Sequence, residues 1–205
     1  MGAFTSLNLA NHVGDEISRV EKNREILRKS ISASQIQFMN QVHGNHVEIV
    51  SDLQRTEPTA DAMVTKEKGL ALAVMVADCL PILIDGGSVI GAVHVGRKGM
   101  SNKIIKNTVV KMKDAGGEDL KATIGPGICG NCYEVEEAMY KDLIKNFPSA
   151  DGGFRKIDIR RESTQQLIGL GVKVENIEIC TLEDEKYYSY RRNNQTGRQC
   201  GVISL

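Results

Sequence analysis

The sequence predicts an α+β protein: a single domain over residues 1–205, folded as a layered α/β sandwich around a mixed β-sheet. Three observations lead there. Short apolar runs and amphipathic segments succeed one another along the chain, so both strands and helices are needed and several strands are buried. The run LALAVMVA at Leu70–Ala77 is apolar at every position, which suits a central strand covered on both faces. With 205 residues, 41% hydrophobic and 25% charged, the chain can bury a core without disulfide support. No internal repeat or long linker divides it.

The first element is a helix over Asp15–Ser30, with Asp15 as cap and Ile17, Val20, Leu27 and Ile31 facing inward. Glu16, Arg19, Glu21 and Lys22 form its wet face. Strands are expected at Ile36–Met39, Val47–Val50, Leu70–Ala77, Ile82–Ile84 and Val89–Val95. A second helix over Gly99–Ala115 is stopped by Gly116 and Gly117, with Ile104, Ile105, Val109 and Met112 inward. A short strand at Ala122–Ile124 follows, then a Gly-Pro loop and a helix over Glu134–Phe147 ended by Pro148. Asp151, Gly152 and Gly153 suggest a mobile loop. A helix at Arg161–Leu170 and strands at Ile177–Cys180 and Cys200–Ser204 complete the chain.

Acidic and basic residues balance at 26 each, so charge gives no reason to expect nucleic acid or an anionic membrane as partner. Tryptophan is absent and aromatic residues are only 4%, too few for a base-stacking platform. No run is long enough to span a bilayer, and the N-terminal residues have no basic-then-apolar leader pattern. Five cysteines, an odd number, fit a reducing compartment, so a cytoplasmic protein is expected.

Four histidines are present, and two stand at strand ends. His43 precedes Gly44, and His94 closes an apolar run and is followed by Gly96. Cys79 follows Asp78 directly after the central run. Two imidazoles and one thiolate meeting at a sheet rim would suit zinc, with a fourth position open for water or substrate. The same residues also suit a buried cysteine beside two hydrogen-bonded histidines. Asp61 and Asp78 could orient a ligand or move a proton, or serve as ordinary turn residues. His12 and His46 read as surface or loop histidines.

Cys129-Gly-Asn-Cys132 is a C-x-x-C element, but a zinc ribbon needs a second pair and none follows; a tight loop lining a pocket is expected. Arg191, Arg192 and Arg198 lie in a tyrosine-rich tail, where guanidinium forks could hold phosphate or carboxylate, or face solvent.

Taken together, these segments resemble the YfiH/YlmD family, long labelled laccase-domain or "multicopper polyphenol oxidase" proteins. The matching elements, in order, are SLNLANHVGD with Lys22, Asn23 and Arg24, then NQVHGNHV, ADAMVT, ADCLPILI, GAVHVGRKG, IGPGICGNCYEV, and CT followed by YYSYRRNNQTGRQ. The resemblance implies a fold shared with bacterial cysteine deamidase toxins. It also implies metal ligands at His43, Cys79 and His94. Its implied activities are phosphorolysis of adenosine, inosine, guanosine and methylthioadenosine, and deamination of adenosine. Two departures stand out. The family's H-A-G-W-R-G is here His94-Val-Gly-Arg97-Lys98-Gly, and the family's R-x-G-G-V-S upstream of Ser6 has no counterpart in the sequence.

The leading expectation is therefore a zinc-dependent enzyme acting on a purine nucleoside and phosphate. Cys79, His94 and Asp78 would serve catalysis, and Lys98, Arg191, Arg192 and Arg198 would bind substrate. Three alternatives remain at this level. A copper polyphenol oxidase is one: copper would bind such a site in vitro, though four histidines are few for a multicopper centre. A cysteine hydrolase with Cys79 as nucleophile and His94 as base is the second. A non-catalytic binding protein is the third, and the oligomeric state stays open.

Overall fold

The computed structural model describes residues 2–52, 54 and 56–205. In chain order the elements are α1 (Ile17–Ser30), β1 (Gln35–Gln37), β2 (Val47–Ile49), β3 (Ala62–Thr65), β4 (Leu70–Val76), β5 (Leu80–Asp85) and β6 (Ile90–Val95). They continue with α2 (Arg97–Ser101), α3 (Ile104–Asp114), β7 (Lys121–Ile124), α4 (Glu137–Asn146), α5 (Ile159–Gly169), β8 (Lys173–Asn176) and β9 (Gln199–Ile203). One 3-10 turn, Pro148–Ala150, links α4 to α5.

The expected single sheet is two mixed sheets. One has three strands in the order β1-β4-β9, the other six in the order β2-β3-β6-β5-β7-β8. In the central strand of the small sheet, Leu70, Leu72, Val74 and Val76 join a cluster between the sheets with Met63, Ile90 and Ala92. Alternate residues Ala73 and Met75 face outward, where Leu9, Phe38 and Leu27 of α1 cover them. All seven residues of β4 are buried, which accounts for its unbroken apolar run. The far face of the large sheet carries the third cluster, where Ile82, Val93 and Val95 meet Ile105 and Met112 of α3, Leu143 of α4 and Leu167 of α5.

Several boundaries differ from the sequence reading. α1 starts at Ile17, not Asp15. Glu16 is its cap residue, and Asp15 instead accepts a bond from the Asn8 amide. Ile17 faces solvent at 61% exposure, while Val20 is the buried contact of that helix. The expected helix over Gly99–Ala115 is two helices, because Lys103 adopts a left-handed φ of 74°. The break seats the loop after β1: Asn45 donates to the Asn102 carbonyl at 3.0 Å, and Asn107 donates to the Asn45 carbonyl at 3.0 Å.

Strand β3 had no counterpart among the expected strands, since four residues are too few to show a period. The strand expected at Ile177–Cys180 lies one segment earlier, as β8. That strand is a sheet edge with alternating partial exposure, so its polar sequence hid it. The Asp151–Gly153 turn is held by bonds from the Tyr140 hydroxyl and the Gly153 N–H to the Asp151 carboxylate. Among the described residues no helix is long and apolar enough to cross a membrane.

Candidate metal centre and its cavity

Strand parity aims three side chains at one rim. In β6, His94 shares the inter-sheet side with Ile90 and Ala92, and in the β5 lead-in Cys79 shares it with Leu83. Asp61, just before β3, has the parity of Met63 on the same side. Antiparallel register then sets His94 opposite Pro81, and the His94 N–H donates to the Asp61 carbonyl at 2.8 Å. His43 arrives from the loop after β1. The Gln41 side chain fixes that loop to β4 by donating to the Met75 carbonyl and accepting from its N–H, at 2.7 and 2.8 Å.

Asp61 is fully buried and organises the rim. Its carboxylate takes the backbone N–H groups of His43 and Gly44 at 2.9 and 2.6 Å, and Nδ1 of His94 at 2.8 Å. Burial alone would raise the Asp61 pKa, but His94 and the N–H groups of Gly44 and Val42 bring it below the ordinary value. With Nδ1 committed to a carboxylate, His94 has Nε2 as its remaining ring nitrogen, the arrangement in which a second partner orients a metal ligand.

The three candidate ligand atoms of His43, Cys79 and His94 all lie within 4.8 Å of one another. Cys79 Sγ is 3.7 Å from His43 Nε2, and the two imidazole rings meet edge to face at 4.7 Å between centroids. Tetrahedral zinc bonds of about 2.0–2.3 Å put neighbouring ligand atoms roughly 3.3–3.8 Å apart, so the donor set and its spacing fit that ion with small adjustments. Backbone strain gathers here, because His43 and Asp78 both adopt left-handed φ angles, 59° and 88°. Gly96 leaves the room: a Cβ there would come within 2.9 Å of Cys79 Sγ.

The electrostatics suit a thiolate. Burial pushes the Cys79 thiol up, but the positive charge of His94 and the bond from His43 reverse this and bring its pKa down to about 6. Burial would lower His94, yet Cys79 and Asp61 raise it to about 9. Without a metal this favours a thiolate–imidazolium pair of Cys79 and His94, and a metal on His94 Nε2 would take the place of that proton.

The rim opens into a cavity of about 600 Å³, within the size range of small-molecule sites. Of the sequence-predicted residues, His43, Asp78, Cys79, His94, Arg191 and Arg198 line it. Lys98 is exposed and is not part of the lining. Arg192 is also outside it: its guanidinium donates to the carbonyls of Thr181 and Leu182 at 3.0 Å each, and to that of Tyr187. Asp78 reaches the cavity with both oxygens engaged. One accepts from the Thr181 hydroxyl at 2.8 Å, the other from the Arg191 N–H at 2.7 Å.

Sequence reasoning passed over Gln41, Tyr133, Tyr190 and Asn194, read His12 as a surface or loop histidine, which its exposed turn position matches, and noted Arg97 only as a departure; all six line the cavity. The only advance signal was their membership of the matched motifs. Arg191 lies over the Tyr133 ring at 5.3 Å and Arg198 over Tyr190 at 6.0 Å, so both guanidinium groups rest on aromatic faces.

Comparison with known proteins gives concordant matches. The family model described as multi-copper polyphenol oxidoreductase laccase matches residues 1–205. A Corynebacterium glutamicum protein named as a purine nucleoside phosphorylase is 41% identical over 98% of this chain and 88% of its own. Among solved structures, Neisseria meningitidis NMB0706 has a TM-score of 0.90 and 32% identity over 100% of this chain and 88% of that one. Bacillus licheniformis YfiH has a TM-score of 0.89 and 25% identity over 98% and 86% of the two chains.

Proposed function

The chain belongs to the multi-copper polyphenol oxidoreductase laccase family, the family of YfiH, and from that premise we propose that it is a zinc-dependent purine nucleoside phosphorylase. One observation carries this reading: a two-histidine, one-cysteine ligand set at the edge of a cavity that three arginines also line. Adenosine, inosine, guanosine and methylthioadenosine are the proposed substrates, with adenosine deamination as a second activity of the same site.

In phosphorolysis a phosphate oxygen bonds to the sugar C1′ as the bond from C1′ to the purine nitrogen breaks, and the base leaves with a proton. When bound to His43, Cys79 and His94, zinc supplies Lewis acidity at the cavity edge. Arg191 and Arg198 would hold phosphate with the guanidinium N–H groups left beside their bonds to the Glu134, Thr196 and Gly197 carbonyls, since guanidinium donors match its oxygens. Arg97 takes the anion-binding part first expected of Lys98, because it lines the cavity and Lys98 does not. Asn194 brings an amide's donor and acceptor for the purine edge.

Asp78 acts as a positioning residue. Its bonds to Thr181 and to the Arg191 backbone hold the arginine segment against the lead-in to β5. Asp61 does the same for both ligand histidines. Copper would bind the same donor set in vitro by ligand affinity alone, which offers a route to oxidase activity apart from the physiological metal.

The test is a nucleoside panel with and without phosphate, run on zinc-loaded and chelated protein. Base release that requires both phosphate and zinc is the expected result. No turnover across the panel would favour a binding protein, and turnover that survives chelation would favour a Cys79 nucleophile.

A further inference from the structure

We propose that Cys129, Cys132, Cys180 and Glu183 form a second metal site, a closed structural site for zinc. Their candidate ligand atoms all lie within 4.8 Å of one another. The C-x-x-C element lacked a second pair in the sequence. The fold supplies one, because Cys180-Thr-Leu-Glu183 repeats the spacing with a carboxylate as its last member. The two halves meet where the loop after β7 pairs with the segment after β8 through an isolated bridge between Gly127 and Cys180.

Each half is shaped to present its ligands. The first is a tight turn in which the N–H groups of Cys132 and Tyr133 both donate to the Cys129 carbonyl at 3.1 Å. Gly130 fits within that turn because a Cβ there would lie 2.8 Å from the Asp158 Cβ. In the second half, Cys180 Sγ accepts the Cys129 N–H at 3.4 Å. A backbone N–H aimed at the sulfur favours its thiolate, the form that binds metal. The Cys132 thiol donates to the Glu183 carboxylate at 3.1 Å.

Hydrophobic packing accounts for only part of the cluster, since Cys180 is buried while Cys129 and Cys132 are half-buried. Cys79 and Cys200 lie against hydrophobic clusters, whereas Cys129, Cys132 and Cys180 belong to none of them. Three thiols beside a carboxylate form a soft, potentially anionic donor set, which selects a thiophilic divalent cation, zinc before magnesium or calcium. With Zn²⁺ bound, three thiolates and a carboxylate would leave a net charge of about −2. The half-buried Arg160 guanidinium, bonded to the Ile124 and Gly125 carbonyls and in electrostatic reach of Cys129 and Cys180, would offset part of it. Glu183 is exposed, so the ion has a way in.

Such an ion would staple the cavity wall. Next to Cys129, the Ile128 N–H donates to the Asp78 carbonyl at 2.8 Å, and next to Cys180, Thr181 donates to the Asp78 carboxylate. Tyr133, one residue beyond Cys132, lines the cavity. Four protein ligands leave no open coordination position, which marks this site as structural rather than catalytic.

Metal counting tests the site separately from the first one. Full-length protein purified from zinc-supplemented medium should hold two zinc ions per chain, and His43→Ala and Cys132→Ser should each hold one. Glu183→Gln, at an exposed position, guards against misfolding and should weaken zinc binding about tenfold with the fold unchanged by circular dichroism. Cobalt bound to the His43→Ala protein should show the intense near-ultraviolet sulfur charge-transfer absorption of several thiolates, and Cys132→Ser should show the weaker band of the single-thiolate centre. Equal zinc content in wild type and Cys132→Ser would overturn the proposal. So would a disulfide among Cys129, Cys132 and Cys180 in protein handled without oxidant. Loss of one zinc from His43→Ala with the other retained bears only on the first centre, whereas a folded His43→Ala protein that holds none would also overturn the second site.

Discussion

The two thiol clusters lie on neighbouring loops yet differ in what surrounds the sulfur. Cys79 sits between two imidazoles, one of them anchored to a buried carboxylate, and its pKa falls to about 6 against the pull of burial. Cys132 faces burial, the Glu183 carboxylate and Cys129, and all three push its thiol up. Histidine neighbours hand the first sulfur an internal counter-charge. The second cluster gathers groups that repel one another once ionised, so an added cation has most to offer there. The contrast is the one expected if the proposed three-ligand, cavity-facing site serves chemistry and the proposed four-ligand site serves structure.

The largest expected effect separates the two directly. Chelation, or His43→Ala, should lower phosphorolysis at least about 100-fold, since loss of the metal or a ligand should cost more than the roughly 10–100-fold typical of an outer-shell partner. Cys132→Ser should keep kcat within about tenfold and lower the thermal midpoint instead. Equal kcat losses in the two variants would erase the distinction. Asp61→Asn comes next, with metal affinity reduced about 10–100-fold. The same change leaves an amide against the N–H groups of His43 and Gly44, costing about 1–3 kcal/mol of stability, readable by denaturant titration.

Alkylation gives a finer comparison. In chelated protein at pH 7, a Cys79 pKa of about 6 leaves roughly ten thiolates for each thiol, while Cys132 stays protonated. Iodoacetamide should therefore modify Cys79 at least about ten times faster than Cys132, and the difference should shrink as pH falls through 6 and Cys79 takes up its proton. Zinc-loaded protein should protect Cys79. Rapid modification with metal present would point to a free nucleophile.

Two smaller effects concern phosphate. Arg198→Ala should raise the KM for phosphate about tenfold, equivalent to about 1.4 kcal/mol. Arg192→Ala should leave that KM unchanged and reduce stability, since its guanidinium serves the Thr181, Leu182 and Tyr187 carbonyls. Lys98→Ala should change kcat/KM by no more than about twofold, because an exposed charge is well screened. A large Lys98 effect would return anion binding to the residue that the sequence first suggested.

The sequence by itself determined the class of fold, the covered central strand and the inward face of α3, because apolar periodicity is a local record of burial. It also supplied the chemical types at His43, Cys79 and His94, and the resemblance nominated them as a set. What it could not determine was adjacency. Strand β3 and the edge strand β8 were missed because four residues carry little period, and the break at Lys103 answers to contacts with Asn45 that no helical pattern records. Arg192 and Arg191 are neighbours in sequence, yet one braces a loop and the other lines the cavity. Cys132 and Glu183 lie far apart in the chain and 3.1 Å apart in space. The register of β7 on β8 and of β5 on β6, with the Gln41 bonds that pin the His43 loop to β4, decided which side chains share a rim, since these contacts join residues far apart in the chain.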